Sequence, residues 1–208
     1  MTLPPHFPAE LTGRDQLGDL LLRLRLLSRG AEIGVYKGEF AETLLKVWPG
    51  RLLLVDTWRH MDHYLDSWNV DDVQAERHLA EARVRLSPFG DRAAFCRMES
   101  KEAAELQPDQ SLDFVYIDAN HAYQSVLRDL ALWYPKVRRG GLVCGHDYFD
   151  ARADRDLEPD WTTVNQSIPV HDLTSYGVKS AVDTFARERR YTVQVTSEEF
   201  PTWYFLKR

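Results

Sequence analysis

The stretch "DFVYIDANHAY", Asp113 to Tyr123, sets the reading of the whole chain. Phe114, Val115, Tyr116 and Ile117 are apolar at consecutive positions, so both faces of the strand need cover, as in the middle of a parallel sheet. The run then breaks into Asp118, Asn120 and His121. In an open parallel sheet the carboxyl ends of the strands face the ligand crevice, so Asp118 is expected at a site and not in the core.

Downstream, Tyr123, Val126, Leu127, Leu130 and Tyr134 keep one face of a helix, which "RRGG" ends before the next strand, "LVCGHD". Upstream, "AEIGVY", "RLLLVDTW" and "AAFCRMES" read as three further strands. Phe40, Leu44, Val47 and Trp48 mark a helix after the first of them, residues 71 to 86 another, and "KEAAEL" a short third. The leucines at 17, 20, 21, 24 and 27 predict an amphipathic helix over residues 14 to 28, which serves either a homodimer interface or the chain's own sheet. Near the end, Val178, Ala181, Val182 and Phe185 predict a last helix. "YTVQVTSE" and "WYFLKR" follow as an antiparallel hairpin across "EFP". This alternation describes an α/β, doubly wound, mostly parallel Rossmann-like sheet with a terminal hairpin.

The chain is expected to form a single domain, 1–208, with a proline-rich and helical lead-in over 1–30, an insertion over 59–90 and a polar lid or substrate loop over 148–176. At 208 residues and 44% hydrophobic content it can bury a real core. The net charge of −6 offers no basic face for nucleic acid. No run approaches the roughly 18 apolar residues of a membrane span, so a cytoplasmic protein is expected. Cys96 and Cys144 read as buried free thiols, and His60, His63 and His78 as surface histidines without a zinc role.

Glu32, Gly34 and Gly38 fall where the first strand turns into its helix, and the absence of a Cβ there lets backbone approach a ligand. The spacing E-x-G-x-x-x-G lacks the paired glycines of a pyrophosphate-binding turn, which favours a ligand without phosphates. Asp56 ends the second strand, where an acidic side chain can accept hydrogen bonds from a ribose diol. Asp118 and the pair His146-Asp147 end neighbouring strands about 4.8 Å apart, so two carboxylates converge and need a proton, hydrogen-bond donors or a cation between them. His121, at the mouth of the following helix, either takes a proton from a substrate hydroxyl or bonds to a loop.

With these motifs in place, the sequence from Ala31 onward resembles class I S-adenosylmethionine-dependent methyltransferases. "AEIGVYKGEF", "LLLVDTW", "DFVYIDANHAYQSVLRDL", "YPKVRRGGLVCGHDY" and "GVKSAVDTF" are similar to the bacterial small-molecule branch that contains macrolide-sugar O-methyltransferases. The resemblance implies a seven-strand sheet in the order 3-2-1-4-5-7-6. It also implies S-adenosylmethionine as cofactor, with Glu32, Gly34 and Gly38 around its methionine part, Asp56 on the ribose, and Glu99 and Ser100 near the adenine. It implies a divalent metal, Mg or Mn, at Asp118, His146 and Asp147, although the imidazole of His146 departs from the all-acid pattern and suits manganese better than magnesium. Without a metal, Asp118 positions cofactor or substrate directly. Asp118, His121 and Asp147 are the expected catalytic residues, acting on a hydroxyl of a small-molecule acceptor such as a sugar or polyketide. A nicotinamide oxidoreductase or a non-catalytic nucleoside-binding protein on the same sheet are the alternatives.

Overall fold

A computed structural model of the protein describes residues 11–164 and 166–208, so the expected irregular start at residues 1–10 lies outside the described residues. In chain order the elements are α1 (Leu17–Arg23), β1 (Arg29–Ile33), α2 (Glu39–Val47), β2 (Arg51–Asp56), α3 (Asp72–Leu86), β3 (Ala93–Arg97) and α4 (Ser100–Glu105). There follow β4 (Leu112–Ile117), α5 (Tyr123–Trp133), β5 (Val137–Gly145), β6 (Asp150–Ala151), β7 (Tyr176–Gly177), α6 (Val178–Glu188), β8 (Gln194–Val195) and β9 (Trp203–Leu206). Seven strands form one sheet in the order β3-β2-β1-β4-β5-β9-β8, while β6 and β7 make a separate two-stranded ladder. The pairs from β3 to β5 are parallel, and β9 is antiparallel to both neighbours. With β6 and β7 set apart, this is the expected strand order.

β4 lies at the centre, and its side chains divide by the period of two. Phe114 and Tyr116 pack under α1, α2 and α3 together with Leu17, Leu44 and Leu86. Val115 and Ile117 pack under α4, α5 and α6 with Ala103, Val126 and Phe185. All six β4 residues are buried, which explains the uninterrupted apolar run.

Some boundaries differ from expectation. α1 stops at Arg23 because Arg25 turns left-handed at φ 56°, and Leu17, Leu20 and Leu21 are buried against the chain's own sheet. "RRGG" does not end a helix: Pro135 sits in a short 3-10 turn after α5, and Arg138 to Gly140 already belong to β5. The pairing of β4 with β5 shifts register between Leu112 and Phe114, and Gly140 takes φ 73° in that irregular start. The final hairpin is wider than "EFP", since residues 196 to 202 separate its strands. Cys96 is half-buried and Cys144 buried, both free. His78 is buried, not on the surface, with its ring 4.3 Å from that of Tyr36. Among the described residues no helix is long and apolar enough to cross a membrane.

Candidate active site

The ladder continues past the strand ends and places their polar residues side by side. Gly34 N–H donates to Val55, Asp118 N–H to Ile33 and His146 N–H to Ile117. These bonds hold Gly34, Asp118 and His146 in one row above the sheet. A cavity of about 530 Å³ opens there, lined by Glu32, Gly34, Asp56, Glu99, Ser100, Asp118, His121, His146 and Asp147. Of the residues expected at a site, Gly38 alone is outside that lining.

The glycines serve the chain before any ligand. Gly34 has φ +88°, and a Cβ on it would stand 1.9 Å from the Asp118 carbonyl oxygen. Gly38, at φ +74°, opens α2, and its Cβ would meet Leu86 at 2.9 Å. The missing side chains thus also make room for β4 and α3, while Gly34 still lines the cavity.

Asp56 ties the loops around the cavity. Its Oδ2 accepts the N–H groups of Val35 and Tyr36, both at 2.9 Å, and its Oδ1 accepts that of Trp58 at 2.8 Å. Tyr36 and Trp58 are left-handed at φ 54° and 42°, a conformation costing roughly 1–2 kcal/mol for each such residue. The Asp56 carboxylate and the Trp58 Nε1–H bond to the Tyr36 carbonyl at 2.9 Å offset that strain. Farther along, Glu99 precedes α4 and pairs with Arg59 at 2.6 Å. Ser100 donates to Asp129 at 2.6 Å and accepts from the Trp133 indole at 2.9 Å. Burial pushes the Asp129 carboxyl up to about 6.

The acidic cluster lies over β4 and β5. Asp118, His121 and Asp147 each offer an atom, and these atoms lie within 4.8 Å of one another, a spacing able to hold a metal ion. His121 Nε2 is 3.1 Å from Asp147 and 3.7 Å from Asp118, yet it has no aligned hydrogen bond. His146 turns Nδ1 toward Asp147 at 3.1 Å and stands 3.8 Å from Asp118, beside this group. Asp147 is itself left-handed at φ 54°, which aims its carboxylate between the two imidazoles.

Charge in the cluster is shared among several groups. Burial acts against the cationic form of His121, but Tyr64 and the carboxylates of Asp118, Asp147 and Asp66 more than reverse it, and the imidazole titrates well above its ordinary range. His146 is raised more modestly, with burial again opposed by Asp118 and Asp147. Burial opposes ionisation of Asp147 too, but the two imidazoles hold its carboxyl far below the usual range. Glu32, fully buried beside Asp118 and Asp56, is pushed well above that range, and its Oε2 has no hydrogen-bond partner.

Three participants carried no signal in the sequence. Arg14, in a short 3-10 turn before α1, brings a guanidinium 3.5 Å from Asp118 and over the Phe40 ring. Asp66 reaches His121 Nδ1 at 2.7 Å, and Tyr64 donates to the Ala119 carbonyl at 3.1 Å. Tyr64 and Asp66 come from a stretch without periodicity and Arg14 from the start of the leucine-striped segment, and only the fold brings them close.

A strand-end cavity with an unpartnered carboxyl at β1 and an acid–imidazole cluster at β4 and β5 is where an α/β sheet binds its ligand. Comparison with known proteins gives the family. A family model described as "Methyltransferase domain" matches residues 31–148, more than half of the chain, and the chain belongs to that family. A structure from Staphylococcus aureus assigned as a caffeoyl-CoA O-methyltransferase is similar at TM-score 0.64 and 14% identity, covering 94% of this chain and 82% of that one. An O-methyltransferase from Bacillus cereus in complex with SAH is similar at TM-score 0.59 and 17% identity, covering 99% and 84%. The Burkholderia thailandensis 1,6-didemethyltoxoflavin-N1-methyltransferase, with S-adenosylhomocysteine bound, is similar at TM-score 0.58 and 12% identity, covering 94% and 79%. At these identities the likeness is one of fold. An uncharacterized protein of Acanthamoeba polyphaga mimivirus is 38% identical over 48 residues, a segment spanning 23% of this chain and 22% of that one.

Proposed function

We propose that the protein transfers a methyl group from S-adenosylmethionine to a hydroxyl oxygen of a small molecule, with a divalent cation held by Asp118, His121 and Asp147. The observation that carries this reading is His121 Nε2 facing two carboxylates without an aligned hydrogen bond, in the same cavity as the unpartnered Glu32 Oε2. Family membership favours methyl transfer over hydride transfer or passive nucleoside binding. Structures of this fold include both O- and N-methyltransferases by name, so the choice of oxygen rests on the cluster. A cation held by two carboxylates and an imidazole would suit a hydroxyl bound as its anion. A sugar or polyketide acceptor remains part of the proposal.

The cavity volume suits one nucleoside donor and a compact acceptor. Glu32 offers its unpartnered carboxyl to the donor's polar tail, while the loops pinned by Asp56 form the wall beside its ribose. Glu99 and Ser100 flank the adenine end. In the transfer, the acceptor oxygen bonds to the methyl carbon as the carbon–sulfur bond breaks, S-adenosylhomocysteine leaves as the thioether and the hydroxyl proton passes to solvent; alignment supplies much of the rate. A bound cation would lower the hydroxyl pKa. A mixed oxygen and nitrogen donor set favours manganese over magnesium.

The test follows transfer of a labelled methyl group to a panel of hydroxylated acceptors, with and without chelator. Transfer lost with EDTA and restored by Mn²⁺, with protons released as the ion binds, is the expected result. Transfer unaffected by chelation removes the cation and selects a second reading, in which the neutral form of His121 takes the hydroxyl proton at Nε2, with a rate that rises with pH as the raised imidazole loses its own proton. Absence of transfer to any oxygen acceptor, with transfer to nitrogen acceptors instead, overturns the O-methyl assignment.

A further inference from the structure

His121 is held from behind by a residue of the segment between β2 and α3. The Asp66 side chain has 0% exposure, and its Oδ2 lies 2.7 Å from His121 Nδ1. Its Oδ1 accepts the Trp68 N–H at 3.0 Å, so the carboxylate is fixed by its own loop. The His121 ring is further stacked against Tyr176, at 5.9 Å between centroids and 13° between planes. A carboxylate accepting this contact takes its hydrogen from Nδ1, so the 2.7 Å approach of Asp66 favours the proton on that nitrogen. The other nitrogen, Nε2, is the one pointed at Asp118 and Asp147.

We propose that Asp66 is a positioning residue, which fixes the Nδ1–H tautomer of His121 and thereby presents the Nε2 lone pair to a cation at Asp118 and Asp147. This rests on the cation reading above. Carboxylate–imidazole–metal relays of this kind orient a ligand and raise its basicity. The relay has a structural consequence here, because the segment that carries Asp66 also supplies Met61, Tyr64, Trp68 and Asn69 to the wall of the cavity. One segment thus both backs His121 and walls the cavity.

The test is Mn²⁺ binding to the full chain, followed by electron paramagnetic resonance. Asp66→Asn puts an amide at Nδ1 that can donate as well as accept, so it no longer selects the tautomer; Mn²⁺ affinity is expected to fall roughly 10–100-fold. Asp72→Ala is the control for a loosened segment, since it removes the 2.7 Å bond that ties the His60 N–H to α3 without touching His121, and its Mn²⁺ affinity is expected to match wild type. Equal affinity in wild type and Asp66→Asn overturns the proposal and leaves the cation site standing. No Mn²⁺ binding by wild type overturns both. Should Asp66→Asn not fold, the ¹⁵N–¹H long-range spectrum of wild-type protein with Zn²⁺ reads the tautomer directly. A proton on Nδ1 of His121 supports the proposal, and one on Nε2 overturns it.

Discussion

Gly34→Ala is expected to lower the melting temperature by roughly 6–12 °C, corresponding to about 3 kcal/mol or more in a chain of this size. Two costs act together. The backbone at φ +88° is a conformation that L side chains rarely adopt, and the added methyl would stand 1.9 Å from the carbonyl oxygen of Asp118 and 2.8 Å from Cα of Ala119. Neither neighbour can yield cheaply, because both are backbone at the end of β4, and the Asp118 N–H is committed to Ile33 at 2.7 Å. Any relief must push Asp118 away from β1, so activity should fall even in the fraction that remains folded. Thermal denaturation checks the first effect. A melting temperature within about 2 °C of wild type would mean a cost below about 1 kcal/mol, against the close approach described above.

Asp118→Asn is expected to reduce the rate of methyl transfer by roughly 10²–10³-fold while leaving stability nearly unchanged, a loss of the size found when one preorganised electrostatic group is removed. The asymmetry follows from what the side chain touches. Its charged neighbours stand at 3.5 Å for Arg14, 3.7 Å for His121 and 3.8 Å for His146, none of them a close hydrogen bond that packing depends on. Asparagine keeps the shape and removes the charge, which relieves repulsion toward Asp147 while it deprives a cation or a bound acceptor of its partner. Single-turnover kinetics beside a melting curve separate the two effects. Wild-type turnover in this variant would remove Asp118 from the chemistry.

Much of the fold was legible because β4 is buried on both faces and α5 has a strong apolar stripe. An apolar run that no water touches, followed by a helix of period 3.6, leaves few topologies open. The strand-end residues Glu32, Asp56, Asp118 and Asp147 were legible for the same reason: once strands are parallel, their last residues must lie at one edge. The close packing at the glycines was not, since Gly34 and Gly38 accommodate β4 and α3, partners distant in sequence. Asp66 was invisible because its irregular segment carries no period, and Arg14 because a charged residue at the start of a leucine-striped helix reads as solvent-facing; only the assembled sheet brings them to His121 and Asp118. The bounds of β5 and the final hairpin were misjudged where a register shift and a seven-residue connection replaced ideal geometry.

The central claim is that the cavity beside β1 and β2 takes the nucleoside of a methyl donor. Isothermal titration of the full chain with S-adenosylhomocysteine, and separately with NAD, tests it most directly. Saturable binding of S-adenosylhomocysteine at one molecule per chain, with no heat from NAD, is the predicted result. Saturable NAD binding with none of S-adenosylhomocysteine would contradict it.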